Sequence, residues 1–157
     1  MKVLGIDPGL GVIGFGLVAS EGPNHLQPRQ WGTIQTSKDK PDAARLQEIH
    51  ADLGGLLREL RPDAASVESI FFFKNAKTLV PVCQARGVIL LTLQQAGVPY
   101  VEFTPMQVKQ TICGYGKASK QDVQEMVKTL LQLDRIPRPD DAADALALAI
   151  SYHHHAR

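Results

Sequence analysis

Asp7, Glu68, Asp141 and Asp144 come from three separate segments, and each is set among apolar residues. Asp7 ends the run Val3-Leu4-Gly5-Ile6 and precedes Pro8-Gly9. Glu68 closes Ala64-Ala65-Ser66-Val67. Asp141 and Asp144 open a stretch that continues Ala145-Leu146-Ala147-Leu148-Ala149-Ile150. A lone buried carboxylate costs roughly several kcal/mol unless something pairs with it. Acids on such scaffolds imply a shared partner, and a hard divalent cation that takes oxygen ligands, Mg²⁺ or Mn²⁺, is the natural one. Two such ions, ~3.5–4 Å apart, activate water and stabilise the leaving oxygen in phosphodiester hydrolysis. Plainer roles stay open for some of these acids. Asp141 also suits a first-turn acid favoured by the helix dipole, and Asp7-Pro8-Gly9 also reads as a simple turn. Asp140 reads as a helix N-cap with no catalytic part. Glu68 and Asp144 resist such explanations, because each adjoins a run that should be buried.

Just beyond Glu68 lies Phe71-Phe72-Phe73, followed by Lys74-Asn75-Ala76-Lys77. Three rings in a row are either core or, beside cations at a strand-to-helix loop, a base-stacking platform. Lys74, Lys77 and Arg86 form one cationic group. Lys109, Lys117, Lys120 and Lys128 form another, with Gly114 and Gly116 between the first two. They fit a phosphate-binding face near a helix N-terminus as well as they fit a solvated helix surface.

The elements that must position these residues follow from periodicity. Val3 to Asp7 and Val12 to Ala19 read as a hairpin, and Gln30 to Gln35 as a third strand. Leu46, Ile49, Leu53, Leu56, Leu57 and Leu60 recur at helical spacing over Asp42 to Leu60, and Pro62 ends that helix. Ala64 to Ser69 is a fourth, buried strand. Asn75 to Ala96 is a long helix with Leu79, Val82, Val88, Leu91 and Leu93 on its apolar face and Gly97 as its C-cap. Pro99 to Phe103 is a fifth strand. Pro105 to Ile112 is a short helix, and Ser119 caps a helix running to about Leu133. The last helix covers Asp140 to about Tyr152, and Asp141 and Asp144 share one of its faces. An antiparallel opening followed by alternating helices and strands predicts an α/β fold: a mixed sheet with helices on both faces.

With 157 residues, 44% of them hydrophobic, the chain is expected to form one domain over residues 1–157. Formal net charge is +1, so any polyanion site must come from local clustering. Cys83 and Cys113 make no metal or redox spacing. No apolar stretch approaches the ~20 residues that span a bilayer, and the N-terminus has no basic-then-apolar leader pattern. The expectation is a cytoplasmic protein with reduced thiols and no membrane contact. His153-His154-His155 reads as a frayed, solvated helix end.

In order along the chain, the motifs resemble one family. Gly5-Ile6-Asp7-Pro8-Gly9, Val67-Glu68-Ser69-Ile70-Phe71 with Lys74-Asn75-Ala76, and Gln84-Ala85-Arg86-Gly87-Val88 are similar to successive segments of RuvC, the crossover junction endodeoxyribonucleases. So are Pro105-Met106-Gln107-Val108-Lys109-Gln110, Gly114-Tyr115-Gly116-Lys117-Ala118-Ser119-Lys120 and Asp141-Ala142-Ala143-Asp144-Ala145-Leu146-Ala147. The resemblance implies an RNase H-like fold with a five-stranded mixed sheet. It implies a Mg²⁺-dependent homodimer that resolves Holliday junctions by paired, symmetric nicks and works with the RuvA–RuvB branch-migration complex. Asp7, Glu68, Asp141 and Asp144 would be the catalytic metal ligands, with Asp7 shared between two ions. Phe71 would stack on bases opened at the crossover. Lys109 and Lys120 would lie near the scissile strand, Lys120 screening the charge that develops on the phosphate. Products would carry a 5′-phosphate and a 3′-hydroxyl.

Three other classes compete. Actin-like kinases and ATPases also open with a strand, an acid and glycines, but they need a second, repeated lobe that this length does not hold. A non-catalytic junction-binding module conflicts with the acids, which repel DNA unless a cation screens them. An RNase H-like nuclease acting on RNA–DNA hybrids or flaps fits the acids equally well and differs only in substrate.

Overall fold

The computed structural model describes residues 1–22, 24–69 and 76–156. Five strands, β1 (Lys2–Asp7), β2 (Val12–Ser20), β3 (Leu26–Gln35), β4 (Ala64–Glu68) and β5 (Tyr100–Phe103), form one sheet in the order β3-β2-β1-β4-β5. The β1/β2 and β2/β3 pairs are antiparallel, and β1/β4 and β4/β5 are parallel. The helices are α1 (Asp42–Leu60), α2 (Ala76–Gln95), α3 (Pro105–Cys113), α4 (Lys120–Leu130) and α5 (Asp140–His155). This is the mixed sheet between helical layers that the sequence predicts.

Strand alternation divides the interior into two cores. Leu4, Ile6, Ile13, Phe15 and Leu17 point to one face and pack against Ile49, Leu53 and Leu57 of α1 and Ala85, Ile89 and Leu93 of α2. Val3, Val18 and Phe103 point to the other face, which is covered by α3, α4 and the alanine-rich α5. Neither cysteine is in a disulfide. No helix is long and apolar enough to cross a membrane among the described residues.

Several boundaries differ from the sequence reading for identifiable reasons. β3 begins at Leu26 and passes through Pro28, because β3 lies at the sheet edge, where a missing N–H breaks no ladder bond. α4 stops at Leu130. Gln132 takes a left-handed conformation (φ 53°), and the N–H groups of Gln132 and Leu133 bond back to the carbonyls of Thr129 and Lys128. That double closure ends a helix without glycine. Leu91 faces outward, 53% exposed, while Ala85, Ile89 and Leu93 carry the buried face of α2. The triple histidine is not frayed. α5 runs through His155, His153 is buried with Nε2 3.0 Å from the Val18 carbonyl, and the His155 ring packs on Phe103 with centroids 5.0 Å apart.

Candidate metal centre and nucleic-acid cleft

Two adjacent strand ends and one helix start build the site. β1 and β4 run parallel with Ile6 beside Val67, so the next residues, Asp7 and Glu68, stand side by side at the carboxyl ends of the strands. On its other side Asp7 pairs with Gly14 of β2. A Cβ on Gly14 would fall 1.9 Å from the Asp141 carbonyl oxygen, and one on Gly5 would fall 1.8 Å from that of Ala145. Only glycine permits this approach, so the backbone of α5 rests directly on β1 and β2. Its first two turns are thereby held over Asp7.

The carboxylate oxygens of Asp7, Asp141 and Asp144 converge to within 4.8 Å of one another. Glu68 stands outside that trio but is hydrogen-bonded to Asp7. Burial, reinforced by the charges of Glu68, Asp144 and Asp141, pushes the Asp7 carboxyl up to about 9. Burial and then Asp144 also raise Glu68, against the Asp7 hydrogen bond and the ammonium groups of Lys120 and Lys109. Burial raises Asp144, and Lys120 opposes that rise. Such acids cannot all be ionised together near neutral pH unless a cation joins them. An all-oxygen donor set without imidazole or thiolate fits a hard divalent ion. Asp7, Asp141 and Asp144 would hold it, with Glu68 within reach of the same group.

Lys120 is the first residue of α4, and its Nζ lies 3.5 Å from Asp144 Oδ2 and 3.7 Å from Asp140 Oδ2. Burial disfavours its charge, but Asp144 and Asp140 outweigh that and hold the ammonium above its ordinary pKa. Asp140 is therefore not the N-cap of α5. Pro139 occupies that position without a side-chain cap, and the Asp140 carboxylate instead meets Arg138 and Lys120. Lys109 and Lys120 line a cleft of about 210 Å³ together with Glu68 and Asp144, over an apolar floor that includes Val123 and Leu148. A larger cleft, about 680 Å³ between α1 and α2, is lined by no carboxylate side chain among the described residues.

The remaining candidates separate by position. Lys117 is exposed in the α3–α4 loop, and Lys77 is exposed on the first turn of α2. Arg86 is ion-paired with Glu102 of β5, and among the described residues it is not one of the cations lining the cleft beside the acids. Phe71, Phe72, Phe73 and Lys74 lie outside the described residues. The sequence reading missed Gly5, Gly14 and Gly16, on whose strands α5 rests. The available signal was glycine at alternating positions of otherwise apolar strands, which marks close backbone approach.

The family model for the crossover junction endodeoxyribonuclease RuvC matches residues 3–153. The chain belongs to the RuvC family. It is 52% identical over 152 residues to the crossover junction endodeoxyribonuclease RuvC of Brevibacillus brevis, covering 97% of this chain and 91% of that one. Thermus thermophilus RuvC has the same fold, with a TM-score of 0.92 and 40% identity over 100% of this chain and 96% of that one. The Thermus thermophilus enzyme has also been solved with its Holliday junction substrate. That structure superposes with a TM-score of 0.91 at 37% identity, again covering 100% of this chain and 96% of that one. The fold is RNase H-like, and the family consists of metal-dependent nucleases, to which the acidic group corresponds.

Proposed function

We propose that this protein is a Holliday junction resolvase that makes paired, symmetric nicks in four-way DNA in recombination and repair. The convergence of Asp7, Asp141 and Asp144 beside a lysine-lined cleft, in a chain of this family, carries the reading. Mg²⁺ is the proposed cofactor, with Mn²⁺ as a substitute and two ions per site. Asp7, with Glu68, Asp144 and Asp141 as its charge neighbours, would be the carboxylate central to holding the ions. When bound, the ions supply activation of the attacking water and stabilisation of the leaving 3′ oxygen. Glu68, Asp141 and Asp144 complete the donor set. Lys120, kept charged by Asp144 and Asp140, screens the negative charge gathering on the phosphate. Lys109 draws the same strand into the cleft, and Lys77 and Lys117 contact flanking phosphates. Phe71, with Phe72, Phe73 and Lys74 beside it, engages unpaired bases at the crossover. Hydrolysis leaves a 5′-phosphate and a 3′-hydroxyl.

The whole chain acts as one nuclease domain and works as a homodimer in the cytoplasm, together with the RuvA–RuvB complex. A junction has near two-fold symmetry, and a two-fold dimer presents identical sites to opposed strands. The outer face of α2, where Val80 is 57% and Leu91 53% exposed, supplies apolar surface for that contact. A monomeric mass by light scattering at micromolar concentration would remove the dimer from the account.

The test is incubation of a synthetic mobile four-way junction with and without Mg²⁺, beside matched duplex, flap and RNA–DNA hybrid. Symmetric nicks confined to the junction and dependent on Mg²⁺ are expected. Preferential cutting of hybrid or flap would assign the same site to another nuclease branch.

A further inference from the structure

The loop joining α3 to α4 holds an aromatic ring that the chemistry above does not use. α3 ends at Gly114 in a left-handed turn (φ 87°), and Tyr115 follows with 51% of its surface exposed. Its hydroxyl donates to Oδ2 of Asp122 at 3.0 Å. Asp122 also accepts from the Ser119 N–H and donates its own N–H to Ser119 Oγ, each at 3.0 Å, which already closes the α4 capping box. The helix cap is thus complete without Tyr115, and the extra bond fixes the ring. Loop and platform are built together: a Cβ on Gly116 would meet Met106 Cγ at 2.8 Å, so this glycine lets the chain lie against Met106, itself 64% exposed.

Position gives the ring its significance. Tyr115 is tied to the first turn of α4, and that same turn carries Lys120 to within 3.5 Å of Asp144. Lys117 is exposed beside it, and Lys109 of α3 lines the cleft with Lys120. An uncovered, oriented ring and thioether framed by cations, on the loop that leads into the Lys120 turn, match a nucleic-acid strand whose phosphates meet the lysines and whose base meets the ring. A tyrosine already held in place loses little further freedom on stacking.

We propose that Tyr115, with Met106 beside its loop, stacks on a base of the strand to be cut and positions that strand against Lys120 and the acids. The proposal rests on the junction-nuclease reading. Tyr115 is a positioning residue, and its hydroxyl tether links strand engagement to the placement of Lys120.

The experiment uses four-way junctions carrying 2-aminopurine at successive positions of the cleaved strand, bound by the full-length protein in Ca²⁺ to suppress cleavage. Steady-state cleavage in Mg²⁺ is measured in parallel. The wild-type protein should quench one position by stacking. Tyr115→Ser loses both ring and tether, so it should abolish that quench, raise KM for the junction about 10-fold and lower kcat as much as Tyr115→Phe does. Tyr115→Phe keeps the ring and cuts the tether, so it should retain the quench and KM while lowering kcat. If the wild-type protein cuts junctions but Tyr115→Ser, folded by circular dichroism, matches it in KM and quench, the proposal is overturned and the nuclease reading stands. If Tyr115→Ser does not fold, Tyr115→Phe decides: an unchanged kcat overturns the tether, and absence of any quenched position in the wild type overturns the stacking. Failure of the wild-type protein to cut junctions sinks both.

Discussion

The two faces of the central strands solve different problems with the same backbone. Toward α1 and α2 the strands present Leu4, Ile6, Ile13, Phe15 and Leu17, and the space is filled by side-chain volume. Toward α5 the same strands present Gly5, Asp7, Gly14 and Gly16, and the space is filled by helix backbone. The first face contributes stability, since each fully buried aliphatic side chain is worth roughly 1.5–3 kcal/mol. The second contributes proximity: without Cβ atoms in the way, Asp141 and Asp144 descend onto Asp7. Close approach of like charges is unfavourable, and together with burial, the larger cause, it raises the Asp7 carboxyl. Volume can be traded within the first face, whereas the second admits almost no change.

The sharpest way to break this contrast is Asp7→Asn. Junction cleavage in Mg²⁺ should fall by about 10³-fold or more, while junction binding in a gel-shift assay stays nearly intact. Retained cleavage would mean that the metal site is misassigned. Next comes a matched pair of substitutions on adjacent residues of β2 that face opposite ways. Gly14→Val should destabilise by at least about 3 kcal/mol, or prevent folding, because its Cβ meets the Asp141 carbonyl and not a movable side chain. Ile13→Val, on the other face, should lose only about 0.5–1.5 kcal/mol. Urea melts that rank the two equally would remove the distinction between the faces. Lys120→Ala is expected to slow cleavage by roughly 10–100-fold, less than loss of a fully enclosed donor, because the lysine is more than half exposed. An unchanged rate would take Lys120 out of the mechanism.

The two faces were also unequally legible in the sequence. The leucine spacing of α1 announced its buried stripe, and the order of strands and helices announced the sheet. The acids were legible too, because Glu68 and Asp144 adjoin runs that had to be buried. How they would meet was not, since the convergence depends on Gly5, Gly14 and Gly16, which carry no hydrophobic signal. Asp140 was misread as a cap because its ion pair with Lys120 joins residues brought together only by folding, and the nearby Arg138 also claims its carboxylate. The histidines ending α5 were misread because their partners, Val18, Phe103 and Thr111, are remote in sequence.

pH separates the acids from the rest of the molecule. A carboxyl raised from 3.8 to about 9 favours the protonated form in the fold, so the metal-free protein loses stability as pH rises through that interval. Asp7→Asn removes the Asp7 contribution and eases the like-charge load on its neighbours, so the difference between wild type and variant reports the coupled acid cluster. By pH 7 that difference should reach on the order of 2–4 kcal/mol in favour of the variant.

The most direct test of the acid cluster as a metal centre is therefore the unfolding free energy of wild type and Asp7→Asn at pH 7, each with EDTA and with saturating Mg²⁺ or Mn²⁺. The account predicts that the asparagine variant is the more stable without metal, and that the metal stabilises the wild type far more than the variant, closing or reversing the gap. A variant less stable than wild type in EDTA, or equal stabilisation of both proteins by the metal, would contradict it.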